Sequence, residues 1–175
     1  KLLVAFHILR MVDSRSLALD QPHTFSVANQ KDETRPVRAW LDPMITESNN
    51  RATQALLQLL HRHSRVDTMN REFRELGLGT LQINGTRAKD GRNWQTDRIH
   101  MTAFDTARLL LLIEGPAGEL WLAPDGRAVT AQCLSPSSRA FLKQLLAEQG
   151  LNEALSTANL ARVRHVRPGL PSRVA

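Results

Sequence analysis

The chain has 175 residues, 42% hydrophobic and 23% charged, which is enough for one domain with a real core and argues against disorder. Its formal charge is +6, and only four of its 23 Lys and Arg residues are Lys. The arginines are scattered and come with no RNA-binding aromatic motif or zinc-finger spacing, so a solvated surface is the default reading and an Arg-rich nucleic-acid binder the rival one. A lone cysteine, Cys133, excludes an internal disulfide or a cysteine metal cluster and reads as a small buried residue.

Residues 1–13 are apolar on nearly every face, which predicts a central buried helix. The Lys1 start followed by an apolar run has the outline of an export signal, but His7 and Arg10 interrupt it and no small-residue cleavage site follows. The run is too short to span a bilayer. His7 inside it reads as a satisfied core histidine. Residues 14–38, with Pro22 and Pro36, read mainly as loop, and Trp40, Leu41, Met44 and Ile45 return the chain to the core.

Ala52, Ala55, Leu56, Leu59 and Leu60 form one stripe of a helix over about 50–61. His61 and His63 at its end point in different directions and read as solvated residues, not a metal pair. A helix over about 68–76 follows, with Asp67 as N-cap and Gly77 as stop. Residues 77–101 read as an irregular loop with a short strand at Thr80–Ile83. Thr102-Ala103-Phe104-Asp105 resembles a capping box for a helix running to about Glu114, ended by Gly115-Pro116. Pro124-Asp125-Gly126 predicts a hairpin between Glu119–Leu122 and Arg127–Ala131. Ser135 and Pro136 open a last long helix that Gly150 stops, and a short helix is expected near 152–157. Neither a repeat nor a linker divides the chain, so residues 1–175 read as one domain segment.

Three features carry chemistry. Lys1 precedes a largely apolar helix, an environment that lowers a lysine's preference for charge, although taken alone it reads as an ordinary surface Lys. Ser48-Asn49-Asn50 stands at the head of the stretch Ile45-Thr46-Glu47-Ser48-Asn49-Asn50-Arg51-Ala52-Thr53-Gln54-Ala55-Leu56-Leu57, although such a triplet alone is also a common helix cap. Asn70–Gly77, Met101–Leu110, Leu134–Leu142 and Gly169-Leu170-Pro171 then follow in a fixed order.

In this order the chain resembles the middle of a penicillin-recognising serine hydrolase, of the class A β-lactamase and penicillin-binding protein superfamily. That family is marked by S-x-x-K, S-D-N and K-T-G. The resemblance makes Lys1 the lysine of the first motif, with the nucleophilic serine three residues before the chain begins. It makes Ser48-Asn49-Asn50 the second motif, with Asn49 where β-lactamases usually carry Asp, and it puts K-T-G just past the end. It implies an α+β, helix-dominated fold: a helical subdomain plus part of an antiparallel-sheet subdomain, incomplete in this chain.

The implied roles are a base for Lys1, a proton shuttle toward the leaving nitrogen for Ser48, and for Asn50 an amide pointed at the substrate's acyl-amide side chain and at the catalytic lysine. Trp40 would line the cleft wall for a ring-bearing substrate, with core packing as the alternative. Arg162, Arg164 and Arg167 would attract a substrate carboxylate, with a solvated strand or loop as theirs. The substrate would be a small-molecule β-lactam or a peptidoglycan-like D-alanyl peptide. Neither a cofactor, a metal nor nucleic acid is implied, and the compartment would be periplasmic or extracellular.

Two departures shape the expected activity. The family's β-lactamases carry a glutamate in an omega-loop E-x-x-L-N element, whereas Asn84–Asp97 holds no Glu, only Asp90 and Asp97. Without a positioned base, hydrolysis of an acyl-enzyme is slow. The hairpin near 119–131 looks like an insertion. Slow deacylation is therefore expected, and a non-catalytic ligand- or protein-binding member of the same fold is the alternative.

Overall fold

A computed structural model of the protein describes residues 1–92 and 99–149. Six α-helices dominate: α1 (Leu2–Asp13), α2 (Val37–Thr46), α3 (Asn50–Arg62), α4 (Val66–Glu75), α5 (Ala103–Glu114) and α6 (Pro136–Ala147). Three two-stranded antiparallel ladders join them: β1 (Pro22–Phe25) with β2 (Glu33–Pro36), β3 (Gln82–Ile83) with β4 (Ile99–His100), and β5 (Trp121–Leu122) with β6 (Ala128–Val129). The Gly150 stop, the helix near 152–157, Arg162, Arg164, Arg167 and the Gly169-Leu170-Pro171 stretch lie outside the described residues, as does Asp97.

The all-round apolarity of the first helix has the expected result. Leu3 to Leu9 are buried without a break, and α1 touches α2, α3 and α6. Each fully buried Leu, Ile or Phe stabilises the fold by about 1.5–3 kcal/mol, so α1 is the chief hydrophobic element. His7 is buried among them with Nδ1 2.9 Å from a Glu72 carboxylate oxygen of α4, while its Nε2 has no hydrogen-bond partner among the described residues. The core-histidine reading therefore holds for one ring nitrogen and not for the other.

Several expectations need correction. The stretch read mainly as loop contains the β1–β2 hairpin, with Pro22 opposite Pro36 at its open end. Tertiary contacts hold it: Phe25 is buried, His23 Nε2–H donates to the Ala55 carbonyl of α3 at 2.8 Å, and the Trp40 indole donates to the His23 carbonyl at 3.2 Å. Residues 37–46 form a helix with Pro43 inside it, which forgoes the backbone bond that an N–H there would give to the Ala39 carbonyl. Asp67 is not the N-cap of α4. The helix starts at Val66, whose burial draws it into the core, and Asp67 falls in the first turn.

Other signals hold in part. Thr102 Oγ accepts the Asp105 N–H at 3.2 Å, one half of a capping box. The Asp105 carboxylate does not reach back; it takes the Thr80 N–H at 3.0 Å and the Thr80 hydroxyl at 2.6 Å. That bond pins the chain before β3, which is shorter than the expected Thr80–Ile83 strand. Asn70 extends the ladder from α4, accepting the Ile83 N–H at 2.8 Å and donating to its carbonyl at 2.7 Å.

The hairpin expected over 119–131 forms with Gly126 at φ +83 in its turn, but its strands are shorter than read, and Ala131 begins a 3-10 turn instead. The Trp121 indole donates to the Leu76 carbonyl at 2.7 Å and fixes the hairpin to the end of α4. Ser135 caps α6 and binds Asp13 at the end of α1, through Oγ at 2.6 Å and N–H at 2.7 Å. No described helix is long and apolar enough to cross a membrane.

Candidate active site

The start of α1 and the joint between α2 and α3 meet in space. Lys1 Nζ donates to Ser48 Oγ at 2.5 Å and also to the Ser48 carbonyl. These residues are 47 apart in sequence, so only the packing of α1 against α2 and α3 brings them together. Burial lowers the Lys1 side-chain pKa from its ordinary 10.5. The physical cause is loss of hydration around the ammonium form, which brings the neutral amine within easier reach.

Ser48 presents itself through an unusual backbone. It sits at φ +55, in the left-handed region that costs a residue with a Cβ about 1 kcal/mol. The neighbours hold it there: the N–H groups of Glu47 and Asn49 both donate to the Pro43 carbonyl, at 3.2 and 3.0 Å. The chain thus turns sharply between the end of α2 and the start of α3. Ser48 directs both its hydroxyl and its carbonyl to one lysine. Strain of this kind persists only where the surroundings over-determine it, which is common at working sites.

The cap expected of a Ser-x-Asn triplet is supplied by Asn49, not Ser48. Asn49 Oδ1 accepts the Ala52 N–H at 3.0 Å, and its carbonyl accepts the Thr53 hydroxyl at 2.8 Å. Ser48 is thereby left to Lys1. Asn50 is the first residue of α3 and is exposed. Trp40 does not join them. It is 1% exposed, edge-on to Phe25 with ring centroids 6.0 Å apart and covered by the Arg35 guanidinium. The cleft-wall role is thus corrected to core packing: its indole N–H is used on His23, and its ring offers no free face.

Residues 84–92 form a loop seated on α3. Gly91, at φ +63, lies so close to the helix that a Cβ there would fall 1.9 Å from the Gln54 carbonyl oxygen. Asp90, 6% exposed, receives the Arg87 side chain on both oxygens and the Arg92 N–H at 3.1 Å. Burial pushes its carboxyl up, but the Arg87 and Arg92 bonds outweigh this and hold it below its ordinary value of 3.8. A carboxylate so occupied is a poor proton acceptor for a water.

A second feature is a pair of arginines that bracket the hairpin. Arg51, next to Asn50, donates to Glu33 at 3.1 Å and Gln30 at 2.5 Å, and lies 4.9 Å from the Phe25 ring centre. Arg35 meets the same Glu33 carboxylate. Two arginine hydrogen bonds, opposed only by modest burial, keep that carboxyl below its ordinary range. The sequence pattern does not disclose these polar fasteners. The faint signal was polar Arg51, Gln54, Gln58 and His61 recurring on a helix whose other face is apolar.

Comparison with known proteins places the chain in a family. The model of the Beta-lactamase enzyme family matches residues 1–167. Among solved structures, a β-lactamase from Chitinophaga pinensis DSM 2588 is similar at a TM-score of 0.64 and 17% identity, with 86% of this chain and 54% of that chain covered. At that identity the likeness speaks for the fold alone, and the chain spans about half the length of that structure. No curated protein matches. The helix-dominated α+β fold is that of a serine β-lactamase or penicillin-binding protein, and the chain belongs to the β-lactamase enzyme family.

Proposed function

We propose that these residues are part of a serine acyltransferase or hydrolase that acts on β-lactams or D-alanyl peptides through a serine acyl-enzyme. The observation that carries the reading is the Lys1–Ser48 hydrogen bond at 2.5 Å. An amine and a hydroxyl held together, with the amine's pKa lowered by burial, are the parts of a proton relay.

In this reading the nucleophile is a serine three residues before Lys1, one turn along the same helical face. Lys1 takes its proton as the serine oxygen attacks the carbonyl carbon. Ser48 passes a proton to the leaving nitrogen as the amide C–N bond breaks. Asn50, exposed at the head of α3, holds the substrate's acyl-amide side chain. The acyl-enzyme then persists, because Asp90 is bound by Arg87 and Arg92 and is not free to activate a water. Family membership supports the further proposal of a periplasmic or extracellular location, where both substrate classes are met.

The test is intact mass of the protein at its natural length, read over time after benzylpenicillin is added. A penicilloyl adduct that outlasts the free drug supports slow deacylation. A transient adduct with rapid loss of penicillin would refute slow deacylation. Absence of both adduct and drug loss favours the binding-only alternative.

A further inference from the structure

We propose that Gln58 is a positioning residue that couples the β1–β2 hairpin to loop 84–92 across α3, so that the two flanks of the helix that follows Ser48 move together. This goes beyond the proposed chemistry and does not depend on it. Gln58 is 3% exposed. Its Nε2 donates to the Ser26 carbonyl at 2.8 Å and to the Lys89 carbonyl at 2.9 Å. Its Oε1 accepts the Arg62 guanidinium at 3.2 Å and, at 3.4 Å, the Ser26 N–H.

A carboxamide nitrogen has two N–H donors, fixed in one plane. Here one goes to the residue that follows β1 and the other to loop 84–92. The plane therefore sets where the two carbonyls lie relative to each other. Displacing either loop leaves a buried N–H without an acceptor, which costs more than the bond itself is worth. Each loop resists the other's movement through one side chain.

Four other residues of α3 each hold one of the two loops. The hairpin meets α3 at Arg51 and Ala55, through Glu33, Gln30 and His23. Loop 84–92 meets it at Gln54, through Gly91, and at His61, whose Nε2 lies 2.9 Å from Thr86 Oγ. Positions 51, 55 and 58 follow one helical stripe, and 54, 58 and 61 follow the next. Gln58 is where the stripes meet.

Peptide-resolved hydrogen exchange on the protein at its natural length tests this without any substrate. Gln58→Met should raise exchange in both 26–32 and 84–92, each by about fivefold, the loss of one hydrogen bond. Thr86→Val, which touches only the loop's private contact, should also raise exchange at 26–32, and this remote effect should vanish in the Gln58→Met background. Gln58→Glu, which keeps the shape and loses both N–H donors, gives the same reading if the methionine variant does not fold. Exchange rising in one segment only, or a remote Thr86→Val effect that survives without Gln58, would overturn the coupling.

Discussion

Replacing Gly91 with alanine probes how firmly loop 84–92 is seated. The added Cβ would lie 1.9 Å from the Gln54 oxygen, 2.7 Å from its carbon and 2.9 Å from its Cα. These are backbone atoms of a helix and cannot swing away, so the loop must move. The φ of +63 adds about 1 kcal/mol of strain for any residue with a Cβ. Undocking forfeits the Gln58–Lys89 and His61–Thr86 hydrogen bonds, at about 1 kcal/mol each. The expected loss is about 3 kcal/mol, or a fall in Tm of roughly 6–12 °C for a chain of this size. Gly79 is the control: nothing lies within 4 Å of its Cβ position and its φ is not positive, so Gly79→Ala should stay within about 0.5 kcal/mol of the parent. Urea unfolding and thermal melts of the two variants decide the matter. Equal stability of Gly91→Ala and Gly79→Ala would refute the seating described here.

Acid should weaken the fold through His23, whose burial among β1, α2 and α3 lowers its pKa from 6.5 to about 4. The unfolded chain then binds the proton first, so stability falls as pH drops from about 6.5 toward 4, by up to about 3 kcal/mol. Gln at this position can still donate to the Ala55 carbonyl and does not titrate, so His23→Gln should flatten that limb of a stability–pH curve. Asn49→Ala removes the cap on α3 and should cost about 1 kcal/mol in urea unfolding. Ser48→Gly separates strain from chemistry: it relieves the left-handed φ, so stability should change by less than about 1 kcal/mol. Loss of the hydroxyl should meanwhile slow acylation about 100-fold, read by adduct formation over time.

The elements that the sequence disclosed are those whose cause is local. Ser135-Pro136, Thr102 and Gly115 write helix ends directly into the chain, and the apolar run after Lys1 can only be buried. The elements it hid are those made by distant partners. Nothing within residues 22–36 announces a hairpin, because Ala55 and Trp40 supply the bonds that hold it. Trp40 itself was ambiguous for the same reason: its size suits a cleft wall or a core, and only Phe25 and Arg35 closing over it settle which. The α2 helix carries Pro43 inside it, and the Pro43 carbonyl anchors the turn at Ser48.

Of the site, the order of Lys1 and Ser48-Asn49-Asn50 was legible in the chain, but the hydrogen bond between Lys1 and Ser48 was not. Nor were the means of presentation. A positive φ at a serine has no sequence signal, and the transfer of the capping role to Asn49 follows from it. The saturation of Asp90 likewise depends on Arg87 and Arg92 folding back three and two residues onto one carboxylate, which composition does not reveal.

The central claim is that the Lys1 amine, held against Ser48, is the base of an acyl-transfer site. Its most direct test is the rate of penicilloyl-adduct formation in the protein at its natural length, compared with Lys1→Met, which keeps the alkyl stem and removes the amine. Acylation should fall by about 100- to 10,000-fold while the thermal melt stays close to that of the parent. Acylation of the methionine variant at the parent's rate would contradict the claim.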